Sequence, residues 1–295
     1  MRLLHRFLAC LADRPALRAG VLAAATVLPL AGAHAADPAA ASCPPAAQQL
    51  TTETLNAGIR DAKDHGFLWR ITKGGRSSYL YGTIHAARAE WMFPGPVTLD
   101  ALRNSDTLAL ELDVLDPDIL AGLAASARAR PDEALPPALQ ERIDQRMVAE
   151  CIDPAPWRTY APEFQIASLA VIAARREGFD PAYAIDVVLA LVARQLAKPV
   201  VSLETPEGQM AALRLPSRAA TIEFVERSLD DLDRDGAGPM ITRLVRAWTE
   251  GDLADLSDYG RWCECLRNDG ERDHLRAAVD ALHLRLMARA ADVNP

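Results

Sequence analysis

A chain of 295 residues, half of them apolar, is long enough to bury a sizeable core and reads as globular. Its net charge of −8 offers no basic field for a phosphate backbone, so nucleic acid is excluded as the expected partner.

Residues 1–35 read as a signal peptide. Arg2, Arg6, Arg14 and Arg18 precede an apolar run over residues 19–33 that closes on Ala33-His34-Ala35, a small-residue cleavage site. That run contains Pro29 and falls short of the roughly 20 residues a membrane span needs. No later stretch is longer, so no transmembrane segment is expected after cleavage, and the protein is expected to be periplasmic or secreted. The signal carries four Arg against one Asp, so its loss leaves the remainder more acidic still.

Export suits the cysteines. Cys10 leaves with the signal, and Cys43, Cys151, Cys263 and Cys265 remain, an even set that permits three disulfide pairings. A disulfide role outweighs a metal role for Cys263-x-Cys265, because zinc sites space cysteines by two to four residues and want four ligands. Residues 36–60, rich in Ala and Pro at their start, read as a flexible N-terminal arm, and residues 61–295 as one domain.

The domain opens with FLWRITKGGRSSYLYGTIH over residues 67–85. Gly74-Gly75 suits the positive φ angles of a two-residue hairpin turn, and pairing outward sets Phe67 opposite Gly82, Trp69 opposite Leu80 and Ile71 opposite Ser78. Phe67, Trp69, Ile71 and Leu80 then share a face that is expected to pack on a core, with His85 just past a strand end. Arg70, Tyr79 and Tyr81 share the other face. Pro94-Gly95-Pro96 marks a loop, and a strand is expected over residues 107–114, with Ala109, Glu111 and Asp113 on one side.

Residues 116–196 read as largely helical, broken by Pro131, Pro136 and Pro154 and ending in a nearly all-apolar helix that contains Asp186. A short buried strand runs from Lys198 to Glu204, and Thr205-Pro206-Glu207 supplies an N-cap, a first-turn proline and a dipole-matching acid for the next helix. Further amphipathic helices are expected over residues 218–229, 238–250 and 271–290. The class is α/β: a small central mixed sheet starting with a β-hairpin, surrounded by many helices, with a helical middle subdomain.

GFLWRI, SYLYGTIH, EWMFPGP, DTLALELDVLDP, AIDVVL and KPVVSLETPEGQ occur in that order. Together they closely resemble the TraB/GumN family, to which the TIKI proteins also belong, over roughly residues 61–265. The resemblance implies a fold similar to the erythromycin esterase and ChaN type. It also implies a first Gly-x-x-His at Gly82 to His85 and a strand-end glutamate at Glu111. TIKI members are metal-dependent proteases with two such motifs, and the TraB side is linked to shutting off peptide pheromones. Here no second Gly-x-x-His is found, and Arg267-Asn268 or the terminal residues stand where the family continues, so a truncated C-terminal end is expected.

A catalytic zinc wants three protein ligands, and His85 and Glu111 supply two. Asp186 or Glu204 is expected to complete a divalent-metal site, with Gly82, Arg70 and Tyr81 as further pocket residues. Each has a plainer role available: a hydrogen-bonded loop histidine, a Glu111–Arg70 pair, a paired Asp186, a loop-holding Glu204. Two functions follow, an exported metal-dependent hydrolase of peptides and a non-catalytic periplasmic protein that binds a peptide or small molecule.

Overall fold

The computed structural model describes residues 43–48, 51–235 and 238–262, together with residues 277, 280 and 284. The expected signal segment, Cys263, Cys265 and the expected early C-terminal end lie outside the described residues.

The elements follow the sequence punctuation. In chain order they begin with α1 (Thr52–Asp61), β1 (Phe67–Lys73), β2 (Arg76–Gly82), α2 (Pro96–Arg103), β3 (Leu108–Leu110) and α3 (Pro117–Ser126). Then come α4 (Pro137–Ala149), α5 (Pro162–Ala173), α6 (Ile185–Gln195), β4 (Val200–Ser202) and α7 (Pro206–Leu213). The last are α8 (Arg218–Asp235), α9 (Gly238–Glu250), α10 (Leu253–Ser257) and α11 (Tyr259–Trp262). Proline opens α2, α3, α4, α5 and α7, where its missing N–H costs nothing. Thr51, Asp116, Thr205 and Asp252 cap the helices that follow them with side-chain oxygens.

β1 and β2 form the expected antiparallel hairpin, with Phe67 opposite Gly82, Trp69 opposite Leu80 and Ile71 opposite Ser78. Gly74 and Gly75 hold φ of 58° and 79° at its turn. Its base is anchored: Trp248 Nε1 of α9 donates to the Gly82 carbonyl at 2.8 Å, and Gly66 N donates to the Trp248 carbonyl at 3.2 Å. Phe67 and Tyr81 pack there against a core of Phe93, Leu102, Tyr183, Ile185, Leu189 and Trp248.

The outer half departs from expectation. Trp69, Ile71 and Leu80 are 41%, 56% and 57% exposed, not covered. The hairpin is a two-stranded sheet of its own, fastened at the base, so its apolar face extends beyond the elements that bury Phe67.

β3 and β4 form a second, parallel pair with Leu108 opposite Val200 and Leu110 opposite Ser202. The small sheets among the helices thus hold one antiparallel and one parallel ladder, on separate strands. β3 stops at Leu110, earlier than alternation predicts. Beyond it Leu112 and Asp113 are both buried, and Asp113 N donates to Ser202 Oγ at 2.9 Å while Arg194 of α6 pairs with its carboxylate. Glu111 is therefore left exposed and does not share a strand face with Asp113.

The helical middle builds a second core, where Ile143 and Met147 of α4 meet Leu169 of α5 and Val225 and Leu229 of α8. Of the expected arm, residues 43–48 and 51–60 are described. Cys43 is disulfide-bonded to Cys151 with Cα atoms 5.7 Å apart, and Gln48 N donates to the Tyr183 hydroxyl. From Thr52 the chain is helical, and Gly58 of α1 lies so close to the Phe93 ring that no side chain fits there.

Candidate functional site

Beyond Gly82, Thr83 and Ile84 carry the chain from β2 to His85. This loop is tied to the segment that enters α6. Ala87 and Asp180 exchange backbone bonds of 3.2 and 2.9 Å, and Ile185 N donates to the Ile84 carbonyl at 3.4 Å. His85 is thereby held against the first turn of α6, with Nδ1 3.5 Å from Asp186 Oδ1.

The two side chains differ in environment. His85 is 66% exposed and Asp186 only 17%. Asp186 Oδ1 is buried and has no hydrogen-bond partner among the described residues, with His85 Nδ1 facing it at 3.5 Å. A buried carboxylate oxygen without a donor is costly unless a cation or a proton is shared with it. The separation has a second reading in coordination chemistry: two ligands each ~2.1 Å from one tetrahedral ion stand roughly 3.4 Å apart. The two donor types and their spacing match two positions of such a shell. The interaction with Asp186 is also the main cause that raises the His85 pKa above its ordinary value; burial opposes it, and the charges of Asp186 and Glu111 add to it.

The acids at the strand ends belong to the same neighbourhood. α6 feeds β4 through a short link and packs on both strands, and a charge from beyond the carboxyl ends of β3 and β4, that of Glu111, reaches His85 at its first turn. Those ends carry Glu111 and Glu204, and Glu204 N donates to the Glu111 carbonyl at 2.9 Å. In open α/β sheets this carboxyl edge is where ligands bind. The only polar side chain bonded to the Glu111 carboxylate among the described residues is Gln209 of α7, with Nε2 3.5 Å from Oε2.

Other candidates are placed elsewhere. Arg70 sits exposed on the hairpin opposite Tyr79, and no ion pair joins it to Glu111 among the described residues, since Glu111 lies beyond the end of a different sheet. Tyr81 donates from its hydroxyl to the His65 carbonyl at 2.8 Å, and burial pushes its phenol up to about 12, so it belongs to the hairpin base. Gly82 contributes its carbonyl to Trp248. Cys43 and Cys151 pair with each other, the choice that spacing left open.

The cluster is incomplete as a ligand set. Among the described residues no three His, Cys, Asp or Glu side chains converge as a metal site. His85 and Asp186 meet directly, Glu111 reaches them through its charge, and Glu204 is joined to Glu111 through backbone. Gln209 escaped the sequence reading. Its signal was position alone, in the first turn after a capped strand-to-helix junction.

The chain matches the TraB/PrgY/gumN family over residues 67–289. It is 34% identical over 242 residues to the "Uncharacterized protein YbaP" of Shigella flexneri, covering 72% of this chain and 85% of that protein. It is 33% identical over 242 residues to the protein of the same name from Escherichia coli (strain K12), with the same coverage. No solved structure matches. With the Gly-x-x-His loop, the strand-end glutamate and a match running through most of its length, this chain belongs to the TraB/PrgY/gumN family.

Proposed function

We propose that this protein is an exported metal-dependent hydrolase of peptides, with His85, Asp186 and Glu111 at its site. The observation that carries the reading is the buried, donorless Asp186 Oδ1 standing 3.5 Å from His85 Nδ1. His85 and Asp186 would hold a divalent cation, with Glu111 or Glu204 as a further oxygen donor. Such a cation supplies a bound water of lowered pKa and polarises a scissile carbonyl.

The chain's own groups do the rest. Asp186 sits in the first turn of α6, at the positive end of the helix dipole, and its carboxylate faces the ring of His85. Glu111, exposed beyond the end of β3, would accept a proton from water as general base. His85, two-thirds exposed, faces a substrate arriving from solvent. Export is supported by the N-terminal charge pattern and by the Cys43–Cys151 disulfide, which persists in an oxidising compartment.

A second reading, a non-catalytic binder of peptides or small molecules, is favoured by the absence of a third converging ligand among the described residues. One experiment separates the two: calorimetric titration of the mature protein with Zn²⁺ and Mn²⁺, alongside cleavage of a quenched fluorescent peptide library. The hydrolase reading expects micromolar or tighter metal binding and cleavage that EDTA and His85→Ala both abolish. Peptide binding without cleavage at any metal concentration establishes the binder.

A further inference from the structure

We propose that Gln209 is a positioning residue for Glu111, holding one carboxylate oxygen and leaving the other free for what the site binds. This rests on Glu111 being a working carboxylate of the proposed site. Gln209 Nε2 lies 3.5 Å from Glu111 Oε2, and no other side chain bonds that carboxylate among the described residues.

The backbone that carries the pair is fixed on both sides. Leu203 N donates to the Leu110 carbonyl at 2.8 Å and Glu204 N to the Glu111 carbonyl at 2.9 Å, so β4 locks the segment ending in Glu111. Immediately after, Thr205 Oγ1 accepts from Gly208 N at 3.1 Å, and Gln209 N donates to the Thr205 carbonyl at 3.0 Å. α7 is also wedged from outside. Pro206 is buried against Gly122 of α3, where an added Cβ would lie 2.9 Å from the proline ring. Only side-chain torsions are left to vary between Glu111 and Gln209.

The chemistry of the donor matters. An arginine in this place would take both oxygens in a bidentate pair and cancel the charge. A neutral amide orients the carboxylate and keeps its full negative charge, which is what a cation ligand or a general base requires. The geometry thus assigns a use to the Thr-Pro-Glu-Gly-Gln sequence after β4, which serves to bring Gln209 back over the end of β3.

Two readouts test this. In metal-free protein, the Gln209 side-chain amide signals in a ¹⁵N correlation spectrum should move when Glu111 is changed to Ala; unchanged signals overturn the proposal. In calorimetry with Zn²⁺, Gln209→Leu should weaken binding about 10- to 100-fold at an unchanged melting temperature, as outer-shell losses do. Gln209→Glu, of the same shape, should also disturb binding. Affinity that stays at the wild-type level in both variants overturns the proposal, as does loss that appears only with a lowered melting temperature. If the wild-type protein binds no Zn²⁺, the metal reading falls, and the amide signals alone decide whether Gln209 holds Glu111.

Discussion

Asp186 and His85 form a pair whose protonation the rest of the neighbourhood biases. Asp186 first, and Glu111 by charge, make His85 easier to protonate than in the unfolded chain. In metal-free protein an NMR titration is expected to place the His85 pKa above the ordinary ~6.5, and Asp186→Asn to bring it down. The sign follows from the raised value. The pair's stabilisation is full below the unfolded pKa and is lost as pH rises through the folded one. Because His85 is mostly exposed, solvent screens much of the effect. Tyr81 gives an alkaline counterpart. Its phenol, pushed up to about 12, stays protonated in the fold after the unfolded chain has begun to ionise near ~10, so stability should fall between those values, and Tyr81→Phe should remove that slope in denaturant melts. His85 and Glu111 were legible as residues because each follows a strand within a motif. Gln209 was not, because its partner is 98 positions away in sequence and only the β3–β4 ladder brings them together.

The hairpin is one element with two environments. At its base, Trp248 of α9 is buried and donates to the Gly82 carbonyl of β2, and Trp248→Ala should cost about 3–5 kcal/mol. On its outer half, Ile71→Thr and Leu80→Thr are expected to change stability by less than about 0.5 kcal/mol, since neither side chain is buried. The same changes should reduce binding of a hydrophobic dye and slow aggregation, because an exposed apolar strand pair, joined by no further strand among the described residues, invites pairing. Equal destabilisation at both ends in chemical denaturation would show that the outer face is covered in solution. The register was fully legible, as strand periodicity and Gly74-Gly75 leave little freedom. Which half would be buried was not, because burial depends on how far the neighbouring elements extend over the hairpin. β3 shows the same limit: alternation read Glu111 and Asp113 as equivalent, whereas the turn after Leu110 sends Asp113 into a buried pair with Arg194 and Glu111 to the surface.

At the scale of the molecule, the Cys43–Cys151 disulfide connects the start of the described chain to the helical middle across 108 positions. A cross-link of that span constrains the unfolded chain by about 5 kcal/mol in the loop-entropy account. Cys43→Ser with Cys151→Ser is therefore expected to lower the melting temperature markedly and to loosen the segment that reaches Tyr183, next to the entry of α6. An unchanged melting temperature would place the bond outside the cooperative unit. The two cores, one around α6 and the hairpin base and one among α4, α5 and α8, meet the site differently. The first includes Ile84 and Ile185, the neighbours of His85 and Asp186, and the second takes in Met147 and Ile152 on either side of Cys151.

By itself the sequence determined the α/β class, the hairpin and its register, the helix starts and the family, because these rest on local periodicity, turn chemistry and ordered motifs. Tertiary structure alone decided that Cys43 joins Cys151, that Asp186 comes beside His85 while Arg70 stays apart from Glu111, and that Gln209 reaches Glu111. Those outcomes depend on contacts between residues tens of positions apart, which a loop tie at Ala87–Asp180 and a three-residue parallel ladder fix in space.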